Sequence, residues 1–286
     1  MTSSTEPLTA TADVTGFTPA DHLAQVLEAY SHPVDGRAGE LARAAIKHLF
    51  AFAEEVGLTR EEWFAGIQLL TDIGQKCDAQ RQEFILLSDT LGFSMLVEML
   101  NQNGAPGTTD PTVFGPFHLP GAPERAMGDS IVTHDPEGAP RTFSGTVRDL
   151  TGAPIEGARL DVWQGASNGL YDVQDDGQPD MNMRGVFTTG ADGTYAFVTS
   201  RPVPYPVPGD GPVGAILRAC GRHNFRPAHT HVLLTAPGFK TIITHLFDRE
   251  SAHLDSDAVF GVREGLVVDM SGATVHFDFV MEPEEP

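Results

Sequence analysis

Cysteine and long apolar runs are scarce in this sequence, and each shortage excludes a class of protein. The 286 residues include only two cysteines, Cys77 and Cys220, which excludes a disulfide framework and a cysteine-rich zinc site. No apolar run approaches the ~20 residues that a membrane helix needs. The polar N-terminus lacks the basic and apolar segments of a secretory signal. The sequence therefore predicts a cytoplasmic protein.

Basic residues are scarce as well. Lysine and arginine number 18 against 39 aspartates and glutamates, which gives a net charge of −21 at pH 7. A surface with this charge repels the phosphates of nucleic acids and of anionic lipids. We therefore expect neither a nucleic acid nor a membrane among the partners of the chain.

The distribution of proline separates two regions. Residues 1–103 hold three of the 21 prolines and seven of the 30 glycines, so long helices are permitted there. Apolar residues recur at helical spacing in AGELARAAIKHLFAFAEEVG, and Thr59 with Glu62 has the pattern of a capping box. The segment RQEFILLSDTLGFSMLVEMLN predicts one further helix. We predict a disordered tail at residues 1–16 and a helical region at residues 17–103.

The pattern changes at residue 104. Short β-branched and aromatic runs alternate with turn-forming residues, as in TFSGTVRDL, ARLDVWQ, TYAFVTS, THVLLTA and TVHFDFVM. Many short strands at close spacing are typical of an antiparallel sandwich or barrel. The sequence therefore predicts a mainly β protein, with an antiparallel β-sandwich at residues 104–286 preceded by N-terminal helices.

Two histidines share one predicted strand. In GRHNFRPAHTHVLLTAPG, His229 and His231 occupy positions i and i+2, which project from the same face of a strand and can bind one ion. Arg222 and Arg226 place positive charge beside the pair, which is costly unless a negative group is also present. The alternative is a polar strand face that happens to carry two histidines.

Tyrosine could supply the negative charge. Tyr171 and Tyr205, two of only four tyrosines, lie in segments rich in turn residues, where the alternative is an exposed loop tyrosine. Two imidazoles with two phenolates form a site without thiolate, unlike a structural zinc site. Because a phenol has a pKa of about 10, only a highly charged ion deprotonates two of them at neutral pH. This chemistry favours Fe(III).

These residues lie within motifs that resemble the intradiol ring-cleavage dioxygenases. The similar segments are GPFHLPGAP, GTVRDLTGAPIEGARLDVWQ, GLYDVQ, MRGVFTTGADGTYAF, YPVPGDGPVG and GRHNFRPAHTH, in the family's order over most of residues 84–263. Enzymes of this family use non-haem Fe(III) and O2 to split catechols between the two hydroxyl-bearing carbons. The resemblance implies an iron-bearing β-sandwich, and a homodimer through the N-terminal helices that often surrounds a bound phospholipid.

The resemblance also implies roles for individual residues. Tyr171, Tyr205, His229 and His231 match the ligands of one Fe(III) per subunit, and Tyr205 matches the ligand that leaves when substrate binds. Arg226 matches the arginine that stabilises charge on the ring carbon attacked by O2. One position departs from the pattern, because His245 stands where catechol enzymes carry glutamine.

Within the family, RQEFILLSDTLGFSMLVEML and THLFDRESAHLDSDAVFGVREGLV most resemble enzymes that cleave hydroxyquinol (benzene-1,2,4-triol) to 3-hydroxy-cis,cis-muconate, or maleylacetate. Asp89 is the distinctive residue, since an acceptor near the ring suits a third hydroxyl; the alternative is a carboxylate on a helix surface. The substrate pocket that this resemblance implies comprises Leu86, Asp89, Val113, Phe114, Gly115, Pro116, Phe117, Val207, Pro208, Arg226, His245 and Val259.

Other functions remain open from the sequence. Catechol or chlorocatechol is the alternative substrate, and chlorocatechol enzymes share the THLFD…LDSDAVF segment. GTVRDLTGAPIEGARLDVW also resembles transthyretin-like sandwiches, which are structural rather than catalytic. A zinc hydrolase could use His229, His231 and one carboxylate. Colour distinguishes the structural module and the zinc hydrolase from an iron dioxygenase, because a phenolate bound to Fe(III) absorbs visible light and zinc does not.

Overall fold

A computed structural model describes residues 16–32, 36–78, 81–101 and 104–284. The predicted disordered tail lies outside the described residues, apart from Gly16. Contacts divide the chain into two compact units, Met1–Gln68 and Leu69–Pro286. Across the described ranges, none of the helices combines the length and the apolar character needed to span a bilayer.

The helix that begins at Arg60 follows a capping group that the sequence indicated. In the first unit, Thr59 and Glu62 form the predicted capping box: the amide of Thr59 donates to the Glu62 carboxylate at 2.9 Å, and the amide of Glu62 donates to the Thr59 hydroxyl at 3.2 Å. This pair satisfies two amides that the first turn leaves unbonded. The helices are α1 (Pro19–Ala29), α2 (Gly36–Val56), α3 (Arg60–Lys76), α4 (Glu83–Thr90), α5 (Phe93–Asn101) and α6 (Pro212–Ala219).

The helices differ from the sequence-based prediction in two places. The segment expected to be one helix is divided into α4 and α5, because Gly92 between them has φ +74°, a left-handed conformation that ends a helix. Helix α6 lies inside the predicted β region. It begins at Pro212 after Gly211, and proline is well suited to the first position of a helix.

The strands form mixed sheets, so the expectation of a purely antiparallel arrangement is wrong. Strand β1 pairs with β4 antiparallel but with β10 and β11 parallel, and β8 pairs with β9 parallel. These parallel partners are far apart in the sequence, where local patterns carry no information on pairing. The strands are β1 (Pro140–Asp149), β2 (Arg159–Trp163), β3 (Arg184–Thr188), β4 (Thr194–Ser200), β5 (Tyr205–Pro206), β6 (Phe225–Arg226), β7 (His229–Thr235), β8 (Ile242–Asp248), β9 (Val267–Val268), β10 (Thr274–His276) and β11 (Phe279–Met281).

Two sheets share one apolar core. A five-stranded sheet has the order β3-β2-β7-β8-β9, and β1 is the centre of a four-stranded sheet with β4, β10 and β11. Phe143 and Phe197 of the second sheet belong to the same buried cluster as Val162, Val232 and Leu246 of the first. Because side chains alternate along a strand, the five-stranded sheet keeps a second face for other residues.

Candidate metal centre and substrate pocket

The second face of the five-stranded sheet carries three buried histidines. His229 and His231 alternate with core residues along β7, and His245 on β8 is the cross-strand partner of His231. All three are at most 1% exposed. Each offers a nitrogen within 4.8 Å of the nitrogens of the other two, so the sheet itself assembles a nitrogen-rich cluster.

The two predicted tyrosines approach this cluster from irregular segments. Tyr205 on the short strand β5 pairs with Arg226 on β6, so backbone bonding places these two residues side by side. Tyr171 precedes a short 3₁₀ helix that begins at Asp172. The Asp172 carboxylate forms a buried ion pair with Arg184 on β3, which anchors the segment that carries Tyr171.

Four donor atoms converge at one point. Tyr171 Oη donates to Tyr205 Oη at 3.1 Å and lies 2.9 Å from His231 Nε2. His229 Nε2 lies 3.2 Å from His231 Nε2 and 3.3 Å from Tyr205 Oη. Neighbouring ligands of an ion with bonds of about 2.0–2.2 Å lie about 3 Å apart. The observed spacing therefore fits a single metal ion with two nitrogen and two oxygen ligands.

Burial sets the protonation of these donors. Burial is the main cause that lowers the pKa of His229, and the charge of Arg226 adds to it. Burial is also the main cause that lowers the pKa of His231, with a smaller contribution from His229. Both imidazoles are therefore neutral and keep a free lone pair. Burial raises the pKa of Tyr171 and of Tyr205. The site is therefore assembled with neutral phenols, and a cation must carry enough charge to displace two phenolic protons.

The two β7 histidines are oriented in different ways. His229 Nδ1 contacts the carbonyl of Pro227 at 2.7 Å, which directs Nε2 into the cluster. His231 Nδ1 is buried without a hydrogen-bond partner among the described residues. Its ring instead stacks on Trp163, with centroids 4.6 Å apart and an interplanar angle of 15°. A stacked indole thus replaces the hydrogen bond that usually orients a metal-binding imidazole.

Arg226 is a buried cation at the edge of the cluster. Its Nη1 lies 3.1 Å from His229 Nε2, and its Nη2 lies 3.4 Å from His245 Nδ1. Nε donates to Asp257 Oδ1 at 3.2 Å. Burial lowers the pKa of Arg226, but Asp257 and the tyrosines raise it by more, so the guanidinium stays charged. Arg222, by contrast, donates to the carbonyls of Thr90 and Ala258 and does not reach the donor atoms.

Most predicted pocket residues lie together. Leu86, Val113, Val207 and Val259 belong to one buried apolar cluster. Phe117 stacks on the ring of Tyr171 with centroids 4.4 Å apart. A cavity of about 210 Å³ is lined by Leu86, Pro116, Phe117 and Pro208 together with polar residues. An apolar cavity of about 150 Å³ holds benzene, so this volume suits one aromatic ring.

Two further predicted pocket residues, Gly115 and Phe114, differ in how closely they approach the donor cluster and its neighbours. Gly115 has φ +74°, and a Cβ atom there would lie 3.4 Å from His231 Cε1, so glycine suits both the backbone conformation and the close approach. Phe114 packs its ring edge against Trp163 at 5.7 Å and is 37% exposed. It therefore lies farther from the donor cluster than Phe117.

Asp89 on α4 is only 4% exposed. The alternative of a carboxylate on an exposed helix surface is therefore wrong. Burial raises the pKa of Asp89, while a hydrogen bond from Ser94 and the charge of Arg226 oppose that rise. A buried acceptor in this position has unused capacity for a hydrogen-bond donor on a ligand.

The sequence-based reasoning missed three residues around the site. Trp163 was not named as a candidate from the sequence, yet its indole stacks on His231. Asp257 and Arg184 were not singled out, although each forms a buried ion pair next to a predicted functional residue. For Trp163 a signal existed, because strand alternation in ARLDVW places it on the face opposite Val162. No local pattern identified the other two.

Known proteins match this chain along most of its length. A family model described as "Dioxygenase" matches residues 113–283, and one described as "Catechol dioxygenase N terminus" matches residues 35–109. The hydroxyquinol 1,2-dioxygenase of Rhizobium sp. (strain MTP-10005) is 48% identical over 236 residues, which cover 82% of this chain and 80% of that relative. The 6-chlorohydroxyquinol 1,2-dioxygenase of Cupriavidus pinatubonensis (strain JMP 134 / LMG 1197) is 47% identical over 254 residues, covering 87% and 92%.

A solved structure agrees with these matches. The crystal structure of hydroxyquinol 1,2-dioxygenase from Pseudomonas putida DLL-E4 is similar with a TM-score of 0.87 at 43% identity, covering 93% of this chain and 99% of that chain. The transthyretin-like module and the zinc hydrolase are therefore wrong as readings of the sequence. From the family models and the relatives, the chain belongs to the intradiol ring-cleavage dioxygenase family.

Proposed function

We propose that this enzyme cleaves hydroxyquinol between its 1- and 2-hydroxyl carbons, using O2 and one Fe(III) per subunit, to give 3-hydroxy-cis,cis-muconate (maleylacetate). The observation that carries the proposal is the convergence of four nitrogen and oxygen donors, linked by contacts of 2.9–3.3 Å, together with the buried carboxylate of Asp89, which is near enough to Arg226 to be affected by its charge. Relatives at 47–48% identity that act on hydroxyquinol and 6-chlorohydroxyquinol support this substrate class.

Tyr171, Tyr205, His229 and His231 are the proposed iron ligands. Bound Fe(III) would supply the positive charge that keeps both phenols deprotonated before substrate binds and, afterwards, the diol in place of Tyr205. The donor set suits this ion, because phenolate is a hard oxygen ligand and the neutral imidazoles complete the coordination without adding charge. In this proposal Tyr205 Oη is the atom that takes up a proton from the incoming diol.

Arg226 and the apolar pocket orient the substrate. The Arg226 guanidinium is charged and buried beside His229, where a fixed positive charge stabilises negative charge that develops on the ring during attack by O2. Leu86, Val113 and Val259 exclude water from the ring, which strengthens this electrostatic interaction. His245 stays neutral because burial lowers its pKa, so it accepts from Arg226 without competing for the negative charge.

Asp89 is the proposed determinant of substrate specificity. Its carboxylate is buried next to Leu86 and within the electrostatic influence of Arg226. The third hydroxyl of hydroxyquinol can donate to this acceptor, whereas catechol has no group at that position. An unpaired buried acceptor is costly, so the pocket favours the triol over the diol.

The proposal includes the surroundings of the site. The two sheets that share one core would form the β-sandwich that holds the iron. A homodimer through the N-terminal helices, with phospholipid as a ligand, is proposed because apolar side chains of α2 such as Leu49 and Phe52 are 65% and 53% exposed in one chain. The cytoplasm is the proposed compartment.

Turnover of three substrates by the purified protein tests the proposal. We expect stoichiometric iron, a visible absorption band from phenolate ligands, and a higher kcat/KM for hydroxyquinol than for catechol or chlorocatechols. Oxygen uptake and the product's ultraviolet spectrum measure each rate. A colourless protein that is fully active would contradict the iron site. A preference for catechol or chlorocatechol would keep the family reaction and reject the hydroxyquinol assignment.

A further inference from the structure

Asp257 is a buried carboxylate in the loop after β8, and its side chain is only 2% exposed. One oxygen, Oδ1, accepts from Arg226 Nε at 3.2 Å and from the amide of Val259 at 3.3 Å. The other, Oδ2, accepts from the amide of Gly261 at 3.0 Å and faces Arg226 Nη2 at 3.4 Å. The same carboxylate therefore bonds a side chain of the site and the backbone of a pocket loop.

The contact with Asp257 decides which edge of the guanidinium faces the donor cluster. A guanidinium is a rigid planar fork, and here the edge formed by Nε and Nη2 is directed at Asp257. This leaves Nη1 directed at His229 Nε2, at 3.1 Å. Without the carboxylate, rotation about the bonds of the arginine side chain could present a different edge.

The loop itself is packed closely around Arg226. A Cβ atom on Gly261 would lie 3.0 Å from Arg226 Nη2 and 2.8 Å from Thr112 Oγ1, so no larger residue fits there without movement. Phe260 has φ +59°, a conformation that costs energy for a side chain of this size. The backbone amides of Val259 and Gly261, on either side of Phe260, each donate a hydrogen bond to Asp257. These bonds hold the loop in this strained conformation and also fix the position of the pocket residue Val259.

We propose that Asp257 is a positioning residue for ring cleavage, whose carboxylate holds Arg226 and the Val259 loop in one arrangement. The inference rests on the proposed function, because Asp257 acts through Arg226 and the substrate pocket. Asp257 does not contact the four donor atoms in any hydrogen bond of the described residues. Its removal should therefore alter the reaction step without altering the iron site.

The variant Asp257→Asn tests this role in the iron-loaded enzyme. Asparagine keeps one oxygen that can accept from Arg226 and from one loop amide, but its amide nitrogen accepts neither from Arg226 nor from the other loop amide. Because Arg226 acts on charge that develops in the transition state, we expect kcat for hydroxyquinol to fall about 10- to 100-fold while KM changes less than about threefold. Iron content and the visible band of the resting enzyme should stay unchanged.

Asp248→Asn is the matched control. Asp248 is also a buried carboxylate in an ion pair, 2.6 Å from the partly exposed Arg201, and lies outside the donor cluster and the pocket. We expect this variant to lose stability but to keep kcat. A similar fall of kcat in both variants would overturn the specific role of Asp257, because loss of any buried ion pair would then have the same effect.

A double variant separates positioning from a purely structural role. If Asp257 acts through Arg226, then Asp257→Asn should change kcat less than about threefold when added to Arg226→Gln. The double variant also removes both charges together, so it leaves no buried guanidinium unpaired and remains informative if Asp257→Asn alone does not fold. Independent, multiplying losses would overturn the proposal.

The remaining outcomes distinguish failure of the proposed function from failure of the positioning role of Asp257. Absence of ring cleavage by the wild-type iron-loaded protein would overturn the proposed function and the role of Asp257 with it. An active wild type with an Asp257→Asn variant that keeps its kcat would overturn only the positioning role. Iron loss in proportion to lost turnover would also overturn it, because Asp257 would then support the metal site itself.

Discussion

The two faces of the five-stranded sheet come from the same strands and have opposite requirements. Along β7, Val232 and Leu234 enter the apolar core shared with the second sheet. The alternate residues His229 and His231 enter the donor cluster. These four side chains are all buried, so burial alone does not distinguish the residues that stabilise the fold from those of the donor cluster.

The two faces differ in whether their side chains need a ligand from outside the protein. Apolar side chains satisfy one another, so the core face needs nothing from outside the protein. Buried nitrogen and oxygen atoms are costly unless they are paired, and the donor face leaves four of them pointing at one another. We infer that the core face supplies stability on which the donor face depends. A register shift of one residue would exchange the two faces and abolish both.

Neighbouring substitutions on β7 give the strongest test of this comparison. His231→Ala removes one of the four proposed ligands, so we expect no bound iron and no measurable turnover. Val232→Ala leaves the donors in place and should lower the free energy of unfolding by about 2 kcal/mol while the iron remains bound. Metal analysis and denaturant unfolding measure the two effects. Stoichiometric iron with retained activity in His231→Ala would contradict the proposed ligand set.

Removal of the metal tests whether the core face is sufficient for the fold. Because the core is complete without an ion, we expect the chelated protein to keep its β-sheet circular dichroism while it loses colour and turnover. A tightly bound ion stabilises the folded state, so unfolding free energy should fall by about 3–4 kcal/mol and recover when iron is restored. A chelated chain that is unfolded at 25 °C would show that the two faces are not independent.

Asp89→Leu tests the polar residue that the pocket adds to an otherwise apolar cluster. Loss of a charge-assisted hydrogen bond to the third hydroxyl should lower kcat/KM for hydroxyquinol by about 10- to 100-fold. Turnover of catechol should be equal or higher, because the carboxylate no longer has to be desolvated without a partner. Equal losses on both substrates would reject Asp89 as the specificity determinant and return the substrate assignment to catechol or chlorocatechol.

The raised pKa of Asp89 predicts a second effect of Asp89→Leu, on how stability depends on pH. Burial raises that pKa, so the folded protein retains a proton that the unfolded chain releases, and stability falls as pH rises above the ordinary carboxyl pKa of about 3.9. At pH 7 the wild-type carboxylate therefore costs stability. We expect Asp89→Leu to be at least as stable as the wild type at pH 7, with the difference decreasing in acid. A lower melting temperature at pH 7 would contradict this assignment.

Patterns of short range predicted the right features of this molecule. The alternation in HTHVLLT placed His229 and His231 on one face, and the Thr59 capping box lies where the spacing indicated. The prediction that Tyr171 and Tyr205 are ligands began from the need for negative charge beside the histidines, and the family resemblance was needed to support it because a tyrosine in a turn is otherwise ambiguous. Their convergence with the histidines depends on tertiary contacts over 24 to 60 residues.

Features that depend on distant contacts could not be read from the sequence. Asp257 meets Arg226 across 31 residues of chain, and nothing in the local pattern LDSDAVF distinguishes a buried acid from an exposed one. The parallel pairing of β10 and β11 with β1 likewise depends on which edge the chain reaches. Local residue patterns indicate a strand but do not distinguish a parallel neighbour from an antiparallel one, so the mixed sheets could not be predicted.

Tyr195→Phe has the smallest expected effect, and it compares a tyrosine of the apolar core with the two tyrosines of the donor cluster. Tyr195 is 2% exposed within the shared apolar core, and its hydroxyl donates to the carbonyl of Phe277 at 2.8 Å. Loss of this bond should lower the free energy of unfolding by about 1 kcal/mol. Iron content, visible absorption and kcat should stay unchanged, whereas Tyr205→Phe should alter the visible band. Tyr195→Phe with altered colour would contradict the separation of the two faces.

The pH dependence of this small difference is a further check on its cause. Burial and then Asp278 raise the pKa of Tyr195, so the folded protein keeps the phenolic proton above pH ~10, where the unfolded chain releases it. The stabilising contribution of Tyr195 is therefore fully present at neutral pH and decreases as pH rises above ~10. The stability difference between wild type and Tyr195→Phe should narrow over that range in denaturant titrations. A difference that instead widens with pH would mean that the hydroxyl ionises more easily in the folded core than in water, and the core face would then not be the apolar environment that its packing indicates.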